Sequence, residues 1–338
     1  MTPANPGGGA DKTAVLLINL GSPEAPTPAA LRAYLKQFLS DPRIVELPRP
    51  LWWLILNLIV LNTRPRRSAE KYAKIWTPEG APLKAHTERQ AKLLRGYLGE
   101  AGEKNLVIEW AMRYGAPSVA DALDRLRAAG CARILIIPLY PQYSASTTAS
   151  ALDAVNAWLK RHPGAAELNV IDDFHQDAGY LSALAAGINV HWMREGRPEK
   201  LVMSFHGLPR SSIRRGDPYH EQCLASGQLL AAELGLAEQD YVITFQSRFG
   251  PAEWLQPYTQ ATLESLAQSG VKRVDVVCPG FVADCLETLE EIALEGKQAF
   301  LAAGGAAFRY IPCLNEQHEW ITALAGLIRR RLAAWGGE

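Results

Sequence analysis

Three segments of this chain recur, in the same order, in its second half, and that repeat constrains the fold more than any other feature. AVLLINLGSP (14–23) parallels KLVMSFHGLP (200–209). VIEWAMRYGAPSVADALDRL (107–126) parallels VITFQSRFGPAEWLQPYTQATLESL (242–266). ARILIIPLYPQYSAS (132–146) parallels VKRVDVVCPGFVADC (271–285). The shared Gly-x-Pro turn and the shared Arg-aromatic-Gly after the second strand favour internal duplication over the general likeness of βαβ units. Short apolar runs predict strands at 14–20, 106–112, 133–140, 168–174, 200–206, 241–247 and 273–279, with helices between them, such as 118–130 and 254–270. Apolar strands separated by helices predict parallel sheets covered on both faces. The expected fold class is α/β, with two doubly wound parallel-sheet domains. The expected boundaries are a disordered tail at 1–12, an N-terminal domain at 13–165, a C-terminal domain at 166–310, and a C-terminal helix within 311–338 packing back on the fold.

Duplication has a functional consequence. Doubly wound sheets bind ligands in the crevice outside the carboxyl ends of their strands. Matching turns at Gly21 and Gly207 are therefore expected to face one cleft from opposite sides. The first copy also carries an insertion of about fifty residues between its first and second strands. It includes LPRPLWWLILNLIVLNTRPRR (47–67), whose run 51–61 is almost wholly apolar and is flanked by Arg49, Arg64, Arg66 and Arg67. Two readings stand: a buried core helix, or an exposed lip that touches a bilayer surface or a large flat ligand.

Composition excludes several classes. The 338 residues are 48% hydrophobic and 21% charged with a formal net charge of zero, which argues against a general nucleic-acid binder. The five cysteines, Cys131, Cys223, Cys278, Cys285 and Cys313, form no C-x-x-C pair. That argues against a disulfide framework or zinc knuckle and suits a reducing cytoplasm. No run approaches the roughly 18 apolar residues of a membrane span, so membrane contact would be peripheral, at the inner face. Monomer and homodimer both fit. No G-x-G-x-x-G, P-loop or G-x-S-x-G motif appears.

Two local motifs carry chemistry. SFHGLP puts His206 at the carboxyl end of a predicted strand, before a Gly-Pro turn. The segment after it contributes Arg214, Arg215, Asp217, Tyr219 and His220, expected on the surface or bracing a loop. ADCLETLEEIALEG places Asp284, Glu287, Glu291 and Glu295 on one face of an α-helix. Asp284 and Glu287 have capping-box spacing, yet like charges four apart destabilise a helix. The file could instead pass a cation or protons along oxygen ligands. Cys285 is either a buried neighbour or a soft ligand. PLYPQYSASTTAS (138–150) offers Tyr140, Tyr143, Ser144, Ser146, Thr147 and Thr148 as a polar wall, with Ser146 or Thr147 as a helix cap. The repeat brings the histidine and the carboxylates to the same cleft.

The segments LLINLGSPEAP, FLSDPRIVELP, YAKIWTPEGAPL, MRYGAPSV, PLYPQYSASTTAS, MSFHGLP, RGDPYH, TFQSRFGPAEWLQPYT and CPGFVADCLETLEEI together resemble the ferrochelatase family, over about residues 14 to 313. The resemblance implies two Rossmann-like domains around a porphyrin cleft. It implies insertion of Fe²⁺, a substrate, into protoporphyrin IX with release of two protons, the last step of haem synthesis. His206 and Glu287 match the family's catalytic and metal-handling pair, and Asp284, Glu291 and Glu295 its acidic path. Leu20, Arg64, Arg113, Tyr114, Ser247 and Trp254 match porphyrin-binding positions, with Arg64 at the propionate-binding arginine and the lip at 51–61. Animal members carry histidine at the position of Cys285, which leaves its role open. Cluster-bearing members have a cysteine where this chain reads Tyr143-Ser144-Ala145-Ser146-Thr147 and a cysteine-rich extension where it ends AAWGGE. No 2Fe-2S cluster and no permanently bound cofactor are expected.

An imidazole is a suitable base near neutral pH. His206 is therefore expected to accept pyrrole protons while Glu287 and its file handle metal or proton transit. The opposite assignment stays open. Rival readings are a chelatase for coproporphyrin or another divalent metal, and a non-catalytic porphyrin or haem carrier.

Overall fold

The computed structural model describes residues 12–45 and 47–336. Residues 1–11 of the expected tail lie outside the described residues, and Lys12 opens the first strand. Four parallel strands, β1 (Lys12–Gly21), β2 (Leu106–Tyr114), β3 (Cys131–Pro138) and β4 (Glu167–Val170), form one sheet in the order β2-β1-β3-β4. Helices α1 (Pro28–Leu39), α2 (Arg49–Ile55), α3 (Leu61–Ile75) and α4 (Pro82–Glu100) lie between β1 and β2. The next crossovers are α5 (Val119–Ala128) and α6 (Ser150–Arg161). After α7 (Ala178–Glu195) come β5 (Lys200–His206), β6 (Tyr241–Gln246), β7 (Arg273–Val277) and β8 (Ala307–Tyr310), in the order β6-β5-β7-β8. Helices α8 (Arg210–Arg214) and α9 (Tyr219–Glu233) follow β5, α10 (Thr259–Gln268) follows β6, α11 (Lys297–Ala302) precedes β8, and α12 (His318–Gly336) comes last.

The central strands have no polar face. Ala14 to Ile18 and Ile134 to Ile137 are fully buried, as strands with helices on both sides require. A fully buried Leu or Ile contributes roughly 1.5–3 kcal/mol. On one side, α4, α7, α9 and α12 join both sheets in a single apolar layer that includes Val15, Leu135, Met203, Phe205 and Trp320. The two units are thus fused through one core, which fixes how their strand ends meet. Ser118 caps α5 by accepting from the Asp121 amide, and Asp177 caps α7 by accepting from Tyr180.

Several expectations shift. Strand β4 pairs with β3, so the first unit extends past residue 165. Short strand β8, with only Phe308 buried, carries too little pattern to be foreseen. The helix expected at 254–270 starts at Thr259, because Phe245 accepts Tyr258 as a bridge partner and the chain before it is loop. C-terminal α12 packs on α4 and α7, as expected of a returning helix.

The strand order is the same in both units, but their registers refine the repeat. Asn19 pairs with Met112, and its counterpart Phe205 pairs with Phe245. Met112 therefore corresponds to Phe245, two residues from the sequence match with Ser247. Ala14 pairs with Ile134, and its counterpart Lys200 pairs with Val274. That moves the third repeat by one residue. The ladder sets register, whereas the loops after β2 and β6 differ in length. Met112 N donates to Pro117 O (2.7 Å), and Phe245 N donates to the more distant Pro257 O (2.8 Å).

The apolar run is an exposed lip rather than a core helix. Helix α2 buries no residue, and Trp53 and Leu58 are 62% and 65% exposed. A π-helical segment, Leu56–Val60, joins α2 to α3, and Leu56 and Leu61 anchor it below. Among the described residues no helix is long and apolar enough to cross a membrane.

Candidate active site

The carboxyl ends of β1 and β5 carry Leu20 and His206 at equivalent positions. A Cβ on Gly21 would lie 1.8 Å from the Tyr114 carbonyl oxygen, and Gly21 has φ +114°. A Cβ on Gly207 would lie 2.6 Å from the Gln246 carbonyl oxygen and 3.3 Å from the Trp254 ring. Glycine at both turns lets the neighbouring strand end close in. His206 Nδ1 is 2.7 Å from the Gly207 carbonyl oxygen, so in the neutral ring Nδ1 donates and Nε2 is the acceptor.

The acid-bearing helix is π-helical from Glu287 to Gly296, a rare form that is frequent at functional sites. Its i→i+5 bonding keeps Glu287, Glu291 and Glu295, four apart, near one face, but the three meet different partners. Glu287 lines a pocket with Leu20, Tyr34, Tyr72, Leu83 and Cys285. Glu291 accepts from the Ser247 amide (2.7 Å), the Ser247 hydroxyl (2.5 Å) and Gln246 Nε2 (3.3 Å). Burial pushes the Glu291 carboxyl up, against the hydrogen bonds from Ser247 and the opposing pull of His206. His206 lies beside Gln246 in the β5–β6 ladder, and Gln246 donates to Glu291, so the histidine stands next to the acidic helix. Glu295 turns outward and accepts from Lys71 (2.8 Å).

Asp284 is closed off by its neighbours. It accepts from Tyr310 (2.5 Å), Thr288 (3.0 Å) and Asn315 (2.7 Å). The expected Asp284 cap is replaced: Thr288 Oγ1 accepts from the Cys285 amide, and the Asp284 amide donates to Asn315. Burial first, then the charge and hydrogen bond of Glu287, push the Cys285 thiol well up, and Cys285 packs with Leu83 and Ala283. Among the described residues no three His, Cys, Asp or Glu side chains form a group that could hold a metal ion. A metal that is substrate needs ligands it can leave.

The remaining expected residues divide into two sets. Arg113 and Tyr114 face inward to Asp41. Arg113 Nη2, the Tyr114 hydroxyl and the Ser150 hydroxyl all donate to Asp41 Oδ2, at 2.6, 2.8 and 2.6 Å. Burial pulls Asp41 upward, but the Ser150, Arg43 amide and Tyr114 hydrogen bonds and the Arg113 charge outweigh it and hold the carboxyl below its usual value. Ser247, in a left-handed conformation at φ +64°, grips Glu291. Trp254 leans on Gly207, and its indole N–H is buried without a partner among the described residues. Arg64 stacks over Phe249, 4.7 Å from the ring centroid, so lip and second unit meet across the cleft. Burial lowers the Arg64 pKa.

Sequence reasoning missed several residues. Gln246, buried in β6, donates to the Glu287 carbonyl (2.8 Å) and accepts from Ser204; a polar side chain ending an apolar strand was the available signal. Asp217, expected to brace a loop, braces the other unit. It accepts from the Ala145 amide (2.9 Å) and Ser144 hydroxyl (3.0 Å). Ser144, rather than Ser146 or Thr147, caps the π-helical segment Ala145–Ala149.

Comparisons with known proteins agree with this geometry. A family model described as ferrochelatase matches residues 12–332. A ferrochelatase of Aromatoleum aromaticum is 59% identical over 98% of this chain and 91% of its own length. One from Chromobacterium violaceum is 59% identical over 96% and 90%. The solved structure of SirB from Bacillus subtilis with Fe³⁺ shares the fold, with TM-score 0.58 and 12% identity over 97% of this chain and 98% of that one. The chain belongs to the ferrochelatase family, lyases that insert iron into protoporphyrin for haem biosynthesis.

Proposed function

We propose that this chain inserts Fe²⁺ into protoporphyrin IX with His206 as the acceptor of pyrrole protons and Glu287 and Glu291 as the groups that pass metal or protons. The reaction exchanges two N–H protons for one metal ion. Binding energy supplies the bend that turns the nitrogen lone pairs toward the metal. The observation that supports this reading is the placement of His206 beside Gln246, whose amide donates to Glu291 on the acidic helix, while Glu287 lines the pocket beside Leu20. Glu291, with its pKa raised by burial, takes up a proton more readily than an ordinary carboxylate. Carboxylate oxygens and an imidazole suit a ferrous ion in transit. The buried, protonated thiol of Cys285 supports packing rather than ligation.

Leu20 at the pocket, Trp254 beside Gly207 and Arg64 across the cleft support these three as contacts to the macrocycle. Arg113 and Tyr114 support the wall through Asp41 instead of projecting into it. The pocket beside Glu287 has a cavity volume of about 10 Å³, far below the ~300–1,000 Å³ usual for small-molecule sites, so admitting a tetrapyrrole requires the cleft to widen. The exposed lip residues Leu51, Trp53, Leu54, Leu58 and Ile59 support contact with a lipid surface or the macrocycle edge. All five cysteines are free and buried, which supports a reducing compartment. Ala145 stands where cluster-bearing relatives supply a thiol, which supports enzyme free of an iron–sulfur cluster; stoichiometric sulfide in anaerobically purified protein would show otherwise.

Replacing Glu287 by Gln tests the site. The variant should bind protoporphyrin, seen by fluorescence quenching, and form protohaem at least ~100-fold more slowly in anaerobic assay. Unchanged turnover would remove Glu287 from the chemistry.

A further inference from the structure

Four glutamates lie between positions 287 and 295 of the acidic helix: Glu287, Glu290, Glu291 and Glu295. The fold neutralises them unequally. Glu290, with a side chain only 1% exposed, accepts from Lys71 Nζ at 2.8 Å and Lys74 Nζ at 2.9 Å. Lys71 also reaches Glu295 at 2.8 Å. Both lysines lie on α3, three residues apart and so on one helix face, and α3 continues directly from the exposed lip. Beside the ion pairs, Leu286 and Leu289 of the acidic helix pack into the apolar cluster beneath the lip, with Leu56, Leu61 and Tyr72. Among the described residues Glu287 and Glu291 form no ion pair with a lysine.

A buried carboxylate bridged by two cations is a costly way to gain stability, since apolar side chains of similar volume often do as well. What it supplies is a defined place for one element against another. The lip spans the cleft to Phe249 through Arg64, so the seat of α3 sets the height of the lip over any flat ligand. The lysine ends are half-exposed, which leaves this contact open to screening by salt.

We propose that Lys71, Glu290 and Lys74 form a positioning latch that seats the lip helix on the acidic helix and so sets the lip's grip on the porphyrin. This rests on the cleft being the porphyrin site. Lys71 and Lys74 also withhold the outer carboxylates, Glu290 and Glu295, from an incoming cation and leave the inner two.

The test is a cycle of variants: Glu290→Gln, Lys71→Met/Lys74→Met, and all three together, with Lys71→Arg/Lys74→Arg as the conservative control. Protoporphyrin affinity is read by fluorescence quenching, and KM and kcat by anaerobic protohaem formation, at low and high salt. Glu290→Gln and the Met pair should each weaken protoporphyrin binding and raise its KM about tenfold, the combined variant no more than either. Their kcat should stay within a few-fold, and the Arg pair should bind like the unaltered protein. High salt should weaken binding to the unaltered protein and leave the latch variants unaffected. Losses that add in the combined variant would overturn the latch, as would affinity within twofold of the parent alongside a lowered Tm. If Glu290→Gln folds poorly, the half-exposed Lys71→Met/Lys74→Met pair carries the same decision. If the cleft reading itself fails, the parent protein shows no protoporphyrin quenching at all, an outcome distinct from a parent that binds and a latch variant that binds equally well.

Discussion

At the end of β1 stands Leu20; at the equivalent end of β5 stands His206. Each third strand leads to a π-helical segment, Ala145–Ala149 in one unit and Glu287–Gly296 in the other. One segment carries hydroxyls and the other carboxylates. The first unit supplies walls: a leucine, the buried Tyr34 and Tyr114, and the lip. In the proposed mechanism the second supplies the groups that exchange protons or hold cations. A duplicated scaffold places two equal sets of strand ends at one cleft, and in the proposed mechanism chemistry occupies only one set.

The same division appears in two buried carboxyls. Asp41, in the first unit, is held low by Ser150, Tyr114 and Arg113. Glu291, in the second, is pushed up by burial. Replacing Asp41 by Asn should cost the most stability, roughly 3 kcal/mol, because Arg113 is left without its anion. A depressed carboxyl contributes stability above its unfolded pKa and loses it as pH falls through the folded value. The gap between parent and Asp41→Asn in chemical denaturation should therefore be full at pH 7 and shrink below about pH 4.

Glu291→Gln should act with the opposite sign and a smaller size. A raised carboxyl costs stability once pH climbs past its unfolded value and through its folded one. The variant should gain up to about 1 kcal/mol at pH 8 and little at pH 4, while metal insertion falls. Equal signs for Asp41 and Glu291 would break the contrast. Smallest in stability is Trp53→Ser on the lip, expected within ~0.5 kcal/mol of the parent because the ring is exposed. Co-sedimentation with anionic vesicles should drop in that variant if the lip meets lipid, and stay unchanged if it meets only the macrocycle.

Much of this division was legible in the sequence. Strand β5 falls at residues 200–206 as its apolar run predicts, and the repeat predicts one cleft for His206 and Glu287. The register was legible only to within one or two residues, since strand hydrogen bonds and unequal loops fix it. The π-helix was not legible, because i and i+4 spacing reads as an α-helical face. The polar partners were hidden by distance along the chain: Lys71 meets Glu290 across 219 positions and Asp41 meets Tyr114 across 73. Neither pair leaves a local pattern. The lip could not be assigned from its apolar run, since burial depends on what α1 and α3 leave uncovered.

The central claim is that proton acceptance belongs to the β5 strand end and to no counterpart in the first unit. Protoporphyrin affinity and anaerobic protohaem formation, measured on the same preparation of His206→Ala, test it most directly. Affinity should stay within about threefold while kcat falls at least ~100-fold. Turnover at the parent rate with porphyrin bound would contradict the account.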